Sequence, residues 1–283
     1  MTTQEAITVF RQRMGDLYPH GEADAMMRII MEEIMHYSPV DVAIRANEPL
    51  PDFFPLRLDD IMHRLERHEP LQYILGVARF HGHNFKVTPA TLIPRPETEQ
   101  LVDMIIDRHG HRDDLAVLDL GTGCGCIAIS LARALKFADV TGVDVSNEAL
   151  NVARTNAAAL KTRVHWIEAD MLEMKPMPAE SFDIVVSNPP YITMSEQAAM
   201  ERNVLDYEPH EALFVPDDDP QRFYRAIASI AMHVLVKGGM VYVEVNRAYG
   251  NDTAAVMQQA GLQDVAVLRD SFGNIRFVTA AKY

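Results

Sequence analysis

The chain has 283 residues, 48% of them apolar and 23% charged, and a formal net charge of −14. That composition suits a soluble globular protein of one large or two modest domains. The acidic balance, with no basic run, speaks against bulk DNA or RNA as a substrate, because phosphate neutralisation supplies most of the affinity in such complexes.

No stretch approaches the roughly 18 apolar residues of a membrane helix, so no membrane association is expected. Met1 to Glu5 lacks the basic and apolar regions of a secretory signal. Cys124 and Cys126 lie two apart in a Gly-rich turn, a spacing that cannot make a disulfide framework. A reducing, cytoplasmic setting is expected.

In chain order, residues 1–75 read as a small helical domain. Met26, Ile29, Ile30, Ile34 and Met35 recur at helical spacing within Glu22–Tyr37, and Leu58, Ile61, Met62 and Leu65 do so within Pro55–Glu69. Ser38-Pro39 has the form of an N-cap followed by proline at the first helical position.

Residues 76–96 read as a connector. Val77–Phe80 and Asn84–Val87 flank His81-Gly82-His83 as a short hairpin, and Pro89, Pro94 and Pro96 stiffen the segment after the hairpin. No third ligand stands at metal spacing from His81 and His83, so no metal site is expected. From 97 to 283, helices alternate with strands. The strands are expected at 116–120, 140–144, 164–169, 182–187, 240–245, 262–269 and 274–281, which predicts a mostly parallel sheet covered on both faces. Ligands of such sheets bind beyond the carboxyl ends of the strands, at the switch point.

Three successive strand ends carry acids. Asp119-Leu-Gly121-Thr-Gly123-Cys-Gly125 follows the first strand and opens a helix; glycines there permit sharp turns and close approach of a ligand to the backbone. Asp144 ends the next strand, where a carboxylate can hold two ribose hydroxyls. Asp170 ends the third, where its side chain can reach an adenine amine or its neighbour Met171 can pack on the ring. The glycine spacing differs from the dinucleotide fingerprint, and no Gly-Lys-Ser/Thr is present for a triphosphate. An acid upstream of the loop repels pyrophosphate and suits a cation. S-Adenosylmethionine, a nucleoside bearing an ammonium and a sulfonium, fits these demands better than NAD.

The fourth strand runs into Ser187-Asn-Pro-Pro-Tyr191. Two prolines cannot continue a central strand. The Asn188 side-chain oxygen and a rigid proline carbonyl can together accept both hydrogens of a planar NH2 group, and Tyr191 can stack on it or wall it in. Such a clamp positions a weak nitrogen nucleophile against a methyl donor. The motif itself leaves open an amide or an amino-bearing base, and a nucleic-acid methyltransferase or a non-catalytic cofactor-binding protein are the competing readings.

Four stretches resemble one family: Pro70-Leu-Gln-Tyr-Ile-Leu-Gly76, Leu92-Ile-Pro-Arg-Pro-Glu-Thr-Glu99, Asp119–Gly125 and Asn188-Pro-Pro-Tyr-Ile192. Together they look like the peptide-chain release factor glutamine methyltransferases, the PrmC or HemK family. The resemblance implies an α/β, Rossmann-like S-adenosylmethionine-dependent methyltransferase domain behind a small all-helical substrate-recognition domain (1–75), in a monomer that takes class-1 release factors as partners. The implied reaction methylates the side-chain amide nitrogen (N5) of the Gln in their Gly-Gly-Gln motif, modulating translation termination.

Carried over, Gly121, Thr122, Gly123, Cys124, Gly125, Asp144, Met171 and Asn188 contact the cofactor. Asn188, Pro189, Pro190 and Tyr191 hold the glutamine, with Asn188, Pro189 and Tyr191 catalytic. The family often has Ser or Thr at Cys124 and an aromatic or another apolar residue at Met171. Arg95, Glu97 and Thr98 are expected to scaffold the rim, with Arg95 the strongest candidate among them for a ligand contact. Tyr207–Leu213 reads as a partial lid. Glu208 is not expected to act as a base, and Glu244 is expected to be structural.

Overall fold

A computed structural model describes residues 1–283, which divide into two compact units. The first comprises Met1–Gly76 with Glu201–Tyr207, the second Val77–Met200 with Glu208–Tyr283. No helix is long and apolar enough to cross a membrane.

The first unit is helical: α1 (Thr3–Met14), α2 (His20–Met35), α3 (Pro39–Ile44), α4 (Phe53–Leu65) and α5 (Leu71–Leu75). Its helix starts are written in the sequence. Thr2 caps α1 in a reciprocal pair with Glu5, and Ser38 caps α3 with Asp41, Pro39 filling the first position. Phe54, Leu58, Ile61, Met62 and Leu65 share one face of α4 and meet Phe10, Met14, Met27, Ile30 and Met31 in a closed core. The Pro70–Gly76 stretch is α5 and its stop. Leu71 and Ile74 enter that core, and Gly76, at φ 73°, ends the helix in the left-handed conformation.

The second unit opens with the antiparallel hairpin β1 (Val77–Phe80) and β2 (His83–Lys86), and buries Phe80, Phe85, Val87 and Ile93. The segment read as a connector thus folds with this unit from Val77 onward. His81 Nε2 lies 3.1 Å from Asp103, and His83 Nε2 accepts from Arg133 at 3.2 Å.

Then come α6 (Pro96–His109), β3 (Ala116–Leu120), α7 (Cys126–Ala134), β4 (Asp139–Asp144), α8 (Asn147–Ala159), β5 (His165–Glu168), β6 (Phe182–Ser187) and β7 (Ile192–Thr193). The short α9 (Arg202–Leu205) belongs to the first unit. After it lie β8 (Phe214–Val215), α10 (Arg222–Val234), β9 (Leu235–Glu244), α11 (Gly250–Gln259), β10 (Gln263–Arg269) and β11 (Ile275–Ala281).

Seven strands form one sheet in the order β10-β11-β9-β6-β3-β4-β5. β9, β6, β3, β4 and β5 are parallel, while β11 runs antiparallel to both β9 and β10. The chain steps outward from β3 through β4 to β5, then returns to lay β6 on the other side of β3. Strand order therefore reverses at β3/β6, and a crevice opens beyond their carboxyl ends.

The central strands are buried on both faces, as a parallel sheet between helices requires. Tyr224, Ile227, Ala228, Ala231 and Val234 of α10 pack into one core with Leu118, Val185, Val241 and Val243. β9 starts at Leu235, earlier than the expected 240, because the chain passes a register shift against β6 and an αL Gly238 (φ 80°) before running straight.

Candidate active site

The reversal point holds a cleft of about 310 Å³. Three strand ends supply its floor: Gly121 and Gly123 after β3, Asp144 with Val145 and Ser146 after β4, and Asp170, Met171 and Leu172 after β5. Asn188 and Pro190 after β6 form one wall, Ala90, Thr91 and Leu92 another, and Pro209, Glu211 and Ala212 a third.

The glycine loop is held from behind. Gly121 and Thr122 both donate their amides to the Val143 carbonyl at 2.9 Å, and the Gly125 amide donates to the Thr122 carbonyl at 2.9 Å. Thr122 turns its hydroxyl inward onto Asp119 Oδ2 at 2.6 Å, and the Ala128 amide donates to the same oxygen at 3.2 Å. Asp119 is fully buried, its Oδ1 has no hydrogen-bond partner, and burial pushes its carboxyl up to about 7. It does not line the cleft. The sequence expectation that Asp119 meets a cationic ligand is corrected: this acid braces the loop from inside.

Asp144 does line the cleft. Its Oδ2 accepts the Gly123 amide at 2.8 Å and its Oδ1 the Ser146 amide at 2.9 Å. These bonds fix both oxygens while leaving each a lone pair, and burial raises the carboxyl's pKa. Asp170 Oδ1 accepts the Leu172 amide at 2.8 Å, shaping the turn that presents Met171. The Met171 methyl sits 3.3 Å from where a Cβ on Gly121 would stand, close enough to touch the loop, while the φ of 73° at Gly121 is what favours glycine there.

Thr122, Cys124 and Gly125 do not line the cleft. Cys124 and Cys126 are buried. Gly125, at φ 83°, is the N-cap of α7, and a Cβ there would come within 2.9 Å of Trp166. Asn156, which no sequence signal singles out, ties this loop to the hairpin. Its Nδ2 donates to the carbonyls of Cys124 (2.9 Å) and Lys86 (3.0 Å), and its Oδ1 accepts the Lys86 amide at 2.7 Å.

Of the four residues from Asn188 to Tyr191, Asn188 and Pro190 face the cleft; Pro189 is buried. Asn188 Nδ2 donates to Thr98 Oγ1 at 3.1 Å, and Thr98 donates to Glu244 Oε2 at 2.8 Å. The Tyr191 hydroxyl donates to Glu244 Oε1 at 3.0 Å, so this phenol points back toward β9 and does not line the cleft. Burial, with Glu244 beside it, keeps Tyr191 protonated; burial also raises Glu244, opposed by the two hydroxyl donors and by Arg276.

Arg95 pairs with Glu208 at 2.6 Å and is not among the residues lining the cleft. The second oxygen of Glu208 accepts the Ile93 amide at 3.1 Å. With both its oxygens so engaged, Glu208 is a strut.

The site fits a nucleoside with a charged tail: backbone exposed at two αL glycines, a fixed carboxylate at Asp144, and an apolar slot of Val145, Ala149, Met171 and Leu172.

Comparison with known proteins agrees with that chemistry. Residues 117–206 match the family described as "Methyltransferase domain", and residues 5–76 match "PrmC N-terminal domain". The chain is 43% identical over 270 residues to a release factor glutamine methyltransferase of Bacteroides thetaiotaomicron, covering 95% of this chain and 96% of that protein. It is 38% identical over 274 residues to one of Flavobacterium psychrophilum, covering 96% of each. Among solved structures, a methyltransferase from Pyrococcus furiosus shares the fold, with TM-score 0.53 at 17% identity over 79% of this chain and 98% of that one.

Proposed function

The chain belongs to the release factor glutamine methyltransferase family, and from that premise we propose that it methylates the N5 amide nitrogen of the Gln in the Gly-Gly-Gln motif of class-1 release factors. It is an enzyme, and its methyl donor is S-adenosylmethionine. The observation that carries the substrate reading is the place of Asn188: an amide acceptor in the same cleft as Gly121, Asp144 and Met171.

The residue roles derive from position. Gly121 and Gly123 offer backbone to the methionine part of the donor, Asp144 takes the ribose hydroxyls, and Met171 packs on the adenine. Thr122, Cys124 and Gly125 act on the donor only by shaping the loop. When bound, S-adenosylmethionine would supply an electrophilic methyl on sulfonium; transfer would form the N–CH3 bond as the S–CH3 bond breaks, leave the neutral thioether S-adenosyl-L-homocysteine, and release one amide proton to water.

The chain's own part is orientation. Asn188 Oδ1 and the Pro189 carbonyl accept the two glutamine N–H groups, which draws the hydrogens aside and turns the nitrogen lone pair toward the methyl. Pro190 closes the wall. The phenol of Tyr191, already bonded to Glu244, holds the turn in place. No side chain needs to remove a proton before attack, which agrees with Glu208 being occupied by Arg95 and Ile93.

The test incubates the purified enzyme with labelled S-adenosylmethionine and a release factor carrying Gln or Ala at the third motif position, followed by mass mapping. Label confined to the Gln form, on that residue, is expected. Equal labelling of both forms overturns the proposal.

A further inference from the structure

We propose that Thr98 and Glu244 are positioning residues for methyl transfer, a two-step hydroxyl–carboxylate relay that sets which end of the Asn188 amide faces the substrate. The inference rests on the glutamine substrate proposed under the function and adds to it the device that makes Asn188 an acceptor.

The geometry is directional. A carboxylate oxygen can only accept, so Glu244 Oε2 takes the hydrogen of Thr98 at 2.8 Å. Thr98 has a single hydrogen, and spending it there leaves its oxygen as an acceptor toward Asn188. The amide must then present its NH2, at 3.1 Å. Its other end, Oδ1, is thereby turned to the cleft that Asn188 lines. An asparagine free to rotate by 180° presents donors half the time, and donors repel the N–H groups of a glutamine amide.

The relay is itself held. Thr98 and Glu244 are both buried, Tyr191 occupies Glu244 Oε1, and the Glu244 carbonyl accepts the Tyr224 hydroxyl at 3.0 Å. Thr98 sits in the first turn of α6, Glu244 at the end of β9 and Asn188 just past β6, so three elements converge on one amide.

The experiment compares Thr98→Val, which keeps the shape but removes the hydroxyl, with Thr98→Ser, which keeps it. Loss of about 100-fold in kcat is expected for the Val variant, the scale of a displaced catalytic group, with the Kd for S-adenosylmethionine unchanged within about threefold. Thr98→Ser restores turnover to within a few-fold of the wild type. A Val variant that binds the donor and turns over normally overturns the proposal.

A second readout needs no folded variant at Thr98. In the wild type, the Asn188 side-chain NH2, assigned by its disappearance in Asn188→Ser, is expected to show one proton shifted downfield and slow to exchange in 15N spectra. Rapid exchange of both protons overturns the relay. A wild type that leaves the release factor unlabelled overturns the substrate reading instead, and the amide spectrum still decides the orientation.

Discussion

The carboxylate of Glu208, 1% exposed, holds the guanidinium of Arg95 at 2.6 Å across 113 residues of sequence. It joins the Pro-rich stretch after the hairpin to the loop that supplies Pro209, Glu211 and Ala212 to the cleft. Arg95→Met strands a buried carboxylate with one amide donor. With Arg95 itself partly solvated, the expected loss is about 2 kcal/mol of stability, with weaker binding of S-adenosylmethionine as the wall loosens. Denaturant midpoints and a binding titration check both; an unchanged midpoint refutes the strut.

Asn188→Ala removes the side-chain amide that the Asn-Pro-Pro-Tyr turn brings to the cleft. Turnover should fall on the order of a hundredfold or more, as when a single positioned polar group is lost, while donor binding persists. Single-turnover rates and a separate measurement of donor affinity distinguish the two. Near-normal turnover would show that Asn188 has no part in the reaction.

Gly125→Ala meets two obstacles together: φ of 83° and a Cβ 2.9 Å from Trp166 and 3.1 Å from Ala153. The expected cost is about 2–3 kcal/mol, read as a drop in Tm. Gly123→Ala, at φ 55° with nothing within 4 Å of the added carbon, bears only the conformational cost of about 1 kcal/mol. Equal Tm values for the two variants would refute the packing argument.

Asp119 makes stability depend on pH in the opposite sense to an ion-paired acid. Its carboxyl is pushed up to about 7 in the folded chain, above its unfolded value of about 4. The folded state therefore holds the proton more tightly, and this stabilisation is complete below pH of about 4 and lost as pH rises through about 7. Asp119→Asn cannot ionise, so its unfolding free energy should fall less than that of the wild type between pH 5 and 8. Parallel pH curves for the two proteins would show that Asp119 is ionised throughout.

Phe53 and Leu56, 54% and 77% exposed, lie three apart on α4. If the helical unit grips the body of the release factor, changing both to Ser raises KM for the whole factor and leaves kcat on a short Gly-Gly-Gln peptide untouched. An unchanged KM for the whole factor counts against that grip.

The strands and their acids were legible because periodicity and position mark them: three successive strand ends carry Asp119, Asp144 and Asp170. Which way each acid points was not. β3 is buried on both faces, so no polar alternation distinguishes the cleft side from the core side, and only the structure shows Asp119 turned inward. Thr98, Asn188 and Glu244 could not be grouped from spacing at all. Thr98 is 90 residues from Asn188 and 146 from Glu244, and the three meet only through the sheet order. Asn156 reads locally as an ordinary helical polar residue; its three bonds to Cys124 and Lys86 exist only once α8 and the hairpin have docked.

The passage of Glu201–Tyr207 into the helical unit has a consequence for dissection. The Tyr207 hydroxyl donates to the Arg67 carbonyl at 2.9 Å, so this segment is built against residues that a shortened chain starting at Val77 would lack. The chain passes from one unit to the other three times, after Gly76, after Met200 and after Tyr207. The helical unit therefore cannot be transplanted or removed as a module by one cut, and surface substitutions isolate its role more cleanly than deletion does.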